Sequence, residues 1–103
     1  MNDLVFVDTG AWFASIVPWD ANHDQAANWL AQNTRSLLTT DSVLSETLTL
    51  LRIRGERERA IWLGERILSE ELAILYLANR EDQQAAWDVF RRFAAPDDLA
   101  LCF

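Results

Sequence analysis

With 103 residues, half of them hydrophobic and five of them tryptophan, the chain is long enough for one domain with a real core and too apolar for intrinsic disorder. Its formal charge of −7, with nine Arg and no Lys, argues against bulk attachment to nucleic acid, which depends on neutralising phosphates. A single cysteine, Cys102, excludes an internal disulfide or a Cys-rich zinc site. With no basic secretory start and no apolar run near the roughly 18 residues of a membrane span, the expectation is a protein of the reducing cytoplasm with no membrane partner.

Leu4 to Val7 reads as a short buried strand, and Asp8 follows it directly. A helix from about Thr9 to Val17 is then stopped by Pro18. Asn22 with Gln25 has the spacing of a capping box and opens a helix through about Asn33. Ala26, Ala27, Trp29 and Leu30 give that helix one buried side, while His23, in its polar start, reads as surface. Leu37 to Thr40 is a second strand. Asp41 or Ser42 caps a helix that carries Val43, Leu44, Thr47, Leu48 and Leu51 on one face, with Glu46 on its flank. Gly55 ends it. Glu56 to Ser69 forms another helix, with Ala60, Ile61, Gly64, Ile67 and Leu68 inward. Leu72 to Leu77 suits a third buried strand, and Asn79 with Asp82 caps a last helix whose Ala86, Val89, Phe90 and Phe93 share a face. Strands separated by helices imply an α/β domain with a parallel sheet covered on both sides.

Two features bear on chemistry. A carboxylate at the carboxyl end of a parallel strand stands where ligands bind in such sheets, although Asp8 would also serve as an ordinary helix cap. Glu46, on the rim of the helix after strand 2, could meet it above the same sheet edge. Hard oxygen donors of this kind suit Mg²⁺ or Mn²⁺. The second feature is a cluster of four Arg between Arg52 and Arg59, interleaved with Glu56 and Glu58. Pairing on a solvated helix start is its first reading; contact of Arg52, Arg54 and Arg57 with a phosphate or a partner is the other.

The segments Val5-Phe6-Val7-Asp8-Thr9-Gly10-Ala11-Trp12, Leu38-Thr39-Thr40-Asp41-Ser42-Val43-Leu44-Ser45-Glu46-Thr47 and Trp87-Asp88-Val89-Phe90-Arg91-Arg92-Phe93 resemble those of PIN-domain proteins, most nearly the VapC-like toxin ribonucleases of toxin–antitoxin modules. The resemblance covers about residues 3 to 95. It implies a three-layer α/β/α domain and a Mg²⁺- or Mn²⁺-dependent endoribonuclease using one or two metal ions. It also implies a cognate antitoxin and a homodimer as partners. Asp8 matches the family's first acidic ligand and Glu46 its second, and Thr9 stands where a small hydroxyl residue supports the site. On that mechanism a cation held by carboxylates activates water for in-line attack at phosphorus, leaving a 5′-phosphate and a 3′-hydroxyl.

The third acidic residue of the family has no clear counterpart. Asp98 opens a helix-like segment and is the candidate for it, with Asp97 behind; Pro96 followed by two acids is also an ordinary helix start. The expectation is a single PIN-like domain over 1–103, C-terminally incomplete, lacking the family's last strand and helix. A competing reading follows from this: a catalytically impaired remnant that serves only for dimerisation or antitoxin binding, with Trp19 and Trp62 as interface aromatics. A phosphoacceptor role for Asp8 is disfavoured by the absence of Lys.

Overall fold

A computed structural model describes residues 4–93. In chain order its elements are β1 (Leu4–Phe6), α1 (Thr9–Ile16), α2 (His23–Gln32), β2 (Ser36–Thr40), α3 (Asp41–Ile53), α4 (Arg57–Leu68), β3 (Ile74–Tyr76) and α5 (Arg80–Phe93). The strands form one parallel sheet in the order β1-β2-β3, with Phe6 opposite Leu38 and Leu38 opposite Ile74. The expected α/β alternation with a parallel sheet flanked by helices is therefore present. Among the described residues, no helix is long and apolar enough to cross a membrane.

Alternation along the strands sorts the sheet into two faces. Val7, Leu37, Thr39 and Ala73 are buried on one of them and join a single core with Trp12 and Phe13 of α1, Leu44 and Leu51 of α3, and Leu63 and Ile67 of α4. On the other face Phe6 is 54 % and Tyr76 44 % exposed, and Leu4 and Ile74 are exposed with them. Among the described residues the third strand thus lies at an edge of the sheet with Ile74 and Tyr76 exposed, where the apolar run suggested full burial. Helix α5 buries none of its residues, so the face carrying Val89, Phe90 and Phe93 is exposed too.

Other local expectations shift. The cap of α3 is Thr40, whose Oγ1 accepts from the Val43 amide at 3.2 Å; neither Asp41 nor Ser42 caps it. Helix α2 has Asn22 at its N-cap position but no side-chain cap bond; Asp20 instead accepts from the Asn22 amide. His23 is half-buried, its Nδ1 2.8 Å from the Ala14 carbonyl, and so ties α2 to α1. The inward face of α4 runs through Ala60, Leu63, Gly64 and Ile67, leaving Ile61 and Leu68 exposed. The capping box of α5 forms as expected: Asn79 and Asp82 exchange side-chain and backbone bonds, and Tyr76 donates its hydroxyl to Asp82 at 2.6 Å. That phenol hydrogen bond and the Asn79 amide hold the Asp82 carboxyl below the usual range, and Asp82 pushes the Tyr76 phenol up.

Two loops are joined across the helical layer. Trp19 stacks edge-on against Phe13 and donates its indole N–H to Glu56 at 2.7 Å, while Arg59 pairs with the same carboxylate. Helix α4 ends in a Schellman motif: the Glu70 amide donates to the Ile67 carbonyl and the Glu71 amide to the Arg66 carbonyl. Glu70 takes the left-handed position (φ 59°), and its carboxylate accepts from the Leu75 amide on β3 at 2.9 Å.

Two stability effects follow. A Cβ added at Gly64 would stand 3.6 Å from the Leu48 methyls, an ordinary van der Waals distance. Gly64→Ala should therefore raise stability by about 0.5–1 kcal/mol through helix propensity, read as a higher denaturation midpoint. The Trp19 indole, then the Arg59 guanidinium, hold the Glu56 carboxyl below its ordinary value of 4.5. Because the folded pKa is the lower one, that contribution is complete above the ordinary value and is lost as pH falls through the depressed one. Glu56→Gln should lower the melting temperature at neutral pH, and its gap from the parent protein should close as the solution is acidified into this window.

Candidate functional site

Two strand–cap–helix units lie side by side at the carboxyl edge of the sheet. In the first, Asp8 leaves β1 in an extended conformation (φ −93°, ψ 179°) and its Oδ1 accepts from the Ala11 amide at 3.0 Å, capping α1. In the second, Thr40 ends β2 and caps α3. Because β1 and β2 are parallel neighbours, both helices begin at the same edge. Thr9, the first residue of α1, donates its Oγ1 hydroxyl to Glu46 Oε1 on α3 at 2.7 Å. The residue after Asp8 thus holds Glu46 directly. The two carboxylates that the sequence singles out stand at one sheet edge, and both are exposed.

Beneath them lies a buried polar joint. Thr39 Oγ1 donates to the Val7 carbonyl at 3.1 Å and accepts from the Trp12 indole N–H at 3.2 Å. Thr39 is 0 % and Trp12 1 % exposed. Neither residue stood out in the sequence as more than core; the only available signal was a hydroxyl on the buried side of a strand. Asp41, next along, turns its Oδ1 to the Ser42 amide at 3.0 Å and the Ala78 amide at 3.3 Å. It ties the segment after β3 to the start of α3 and so serves a different purpose from the cap expected of it.

The donor set is two carboxylates backed by a hydroxyl, all hard oxygens, and this fits a small divalent cation. Among the described residues, no group of three or more His, Cys, Asp or Glu stands together as a metal site. Asp98 and Asp97 lie outside the described residues. The arginines are elsewhere. Helix α3 starts at the carboxyl edge and runs away from it, so Arg52 lies about 9 Å and Arg54 about 12 Å farther along the axis than Glu46. Arg57 opens α4 beyond that turn. The structure does not bring these three to the carboxylates. Within the cluster, Glu56 pairs with Arg59, as a solvated helix start would have it. A mostly apolar groove, lined among others by Val5, Phe6, Trp12, Ala26, Trp29 and Leu30, runs beside β1 and includes neither Asp8 nor Glu46.

A family model described as the PIN domain matches residues 5–102. Among curated protein sequences no significant match is found. Among solved structures, the chain is similar to VapC20 of Mycobacterium tuberculosis, a toxin that cleaves the sarcin–ricin loop. The TM-score is 0.77 at 29 % identity, over 87 % of this chain and 68 % of that one.

Asp8 has a capping role that can be separated from its charge. Asp8→Ala should cost about 0.5–2 kcal/mol through loss of the Ala11 bond, whereas Asp8→Asn keeps an acceptor oxygen and should cost only a few tenths, as measured by chemical denaturation.

Proposed function

The chain belongs to the PIN-domain family, and from that premise we propose that it is a Mg²⁺- or Mn²⁺-dependent endoribonuclease of the VapC-like toxin type. The observation that carries this reading is the Thr9–Glu46 hydrogen bond. It gathers Glu46 to the helix start capped by Asp8, so that two exposed carboxylates share one sheet edge without any ion pair to a cationic side chain among the described residues. Asp8 and Glu46 would hold the divalent cation. When bound, such a cation supplies Lewis-acid chemistry: it lowers the pKa of water and offsets charge developing on a phosphodiester. The protein's own part is positional. The Ala11 amide fixes one Asp8 oxygen, and the Thr9 hydroxyl fixes one Glu46 oxygen.

RNA is the substrate on this reading, supported by the likeness to a toxin that cleaves the sarcin–ricin loop. A cognate antitoxin and a second copy of the chain are the proposed protein partners. The exposed apolar face of α5, where Trp87 and Phe90 stack at 5.7 Å, is consistent with such contacts. The cytoplasm is the proposed location, from the single cysteine.

A second reading, a binding module without catalysis, is favoured by one observation: among the described residues no group of three or more His, Cys, Asp or Glu gathers as a metal site. One assay separates the readings. The purified chain, incubated with RNA and Mn²⁺ or Mg²⁺, should cleave; EDTA should stop it, and Asp8→Asn and Glu46→Gln should each reduce the rate by about a hundredfold or more, as expected when preorganised charge stabilisation is removed. A folded parent protein that leaves RNA intact would favour the binding module. Cleavage undiminished in Asp8→Asn would remove Asp8 from the chemistry.

A further inference from the structure

We propose that Thr39 is a positioning residue for the carboxylate edge, its hydroxyl fixing the direction in which Asp8 leaves the sheet. The assignment deepens the metal-site reading above and rests on it only for the cation-binding readout.

The argument begins with the two peptide groups that flank Asp8. The one before it carries the Val7 carbonyl, which accepts the Thr39 hydroxyl at 3.1 Å. The one after it carries the Asp8 carbonyl, which accepts the Trp12 backbone amide at 3.1 Å. Trp12 is also the residue whose indole donates to Thr39. Both peptide planes are therefore held by the same pair of residues. With the planes fixed, the remaining freedom of Asp8 is in its side chain, and the Ala11 amide takes that up.

The direction of the protons is fixed by chemistry. An indole N–H can only donate and a carbonyl can only accept, so the Thr39 hydroxyl, placed between them, must accept from Trp12 and donate to Val7. All of this takes place in the core, where a lost partner leaves a buried polar group unpaired. Val7 also marks where the β1–β2 ladder stops: its amide donates to the Leu38 carbonyl at 2.9 Å, and its carbonyl turns to a side chain instead of the next ladder position. The hydroxyl ends the strand and sets the exit angle. Thr9, two residues on, then reaches Glu46, so an error at Val7 would spread to both carboxylates.

Residue-resolved amide hydrogen exchange tests this in the parent protein, Thr39→Val, Thr39→Ser and the remote core control Ile67→Val. If Thr39 positions Asp8, Ala11 should lose about tenfold in protection in Thr39→Val beyond any loss shared with core amides of α3 and α4, as for one hydrogen bond released. Thr39→Ser should restore it, and Ile67→Val should show only the shared loss. Should Thr39→Val not fold, Trp12→Phe, which deletes the indole donor along with some buried ring volume, should expose Ala11 by about threefold beyond the loss shared with the core. A Mn²⁺ titration by calorimetry supplies the second readout: about tenfold weaker binding in Thr39→Val, recovered in Thr39→Ser. Ala11 protection that falls only in step with the core, in either variant, overturns the assignment. Failure of the parent protein to bind Mn²⁺ overturns the metal reading and leaves the exchange result to decide on Thr39.

Discussion

The in-register parallel pairing of β1 with β2 is the constraint from which the rest of the arrangement follows. Once Phe6 stands opposite Leu38, Val7 and Thr39 come to one level, and Asp8 and Thr40 reach the sheet edge together. Each then caps a helix, and the two helices start side by side. Glu46 needs only to sit in the second turn of α3 to come within reach of Thr9. A slip of one residue would turn Thr39 outward, put Leu38 into the core and separate both carboxylates. The register is guarded by that cost, because the buried face of the sheet packs against α1, α3 and α4 together.

Much of this was legible in the sequence, because the signals were redundant. An apolar run ending in Asp8, a second ending in Thr39-Thr40, and a helix bearing Glu46 on its flank suffice to place two acids at one edge. Periodicity located the helices but was weakest where neighbouring residues are chemically interchangeable. Thr40, Asp41 and Ser42 are all good caps, and only the end of the β2 ladder selects Thr40. In α4 the inward face runs through Ala60, Leu63, Gly64 and Ile67, an i, i+3, i+4, i+7 set that takes in Leu63 and leaves Ile61 and Leu68 outside it. Burial of β3 was overread because an apolar run of that length is compatible with one covered face as well as two.

The polar interior was the least legible part. A threonine in a strand reads as a β-former, and nothing in the local pattern says that its hydroxyl will be sandwiched between an indole and a carbonyl 27 and 32 residues away in sequence. Asp41 is similar: its bond to the Ala78 amide depends on where β3 ends. Such contacts are set by tertiary placement, and they are what turns two acids near an edge into a defined arrangement. The arginine cluster shows the converse. It is conspicuous in sequence, yet α3 carries it toward the opposite end of the sheet.

Glu70 couples two properties that are usually tuned separately. A side chain at a left-handed position is a local backbone cost that glycine would relieve. Yet this side chain occupies the Leu75 amide on β3, which among the described residues is an edge strand with an apolar, exposed face. An amide so occupied cannot template a foreign strand. Relieving the backbone with glycine would therefore remove a local strain and, with it, the bond that occupies this amide. The residue best suited to the turn is not the one that can occupy the strand's amide, and at this position the chain has the latter.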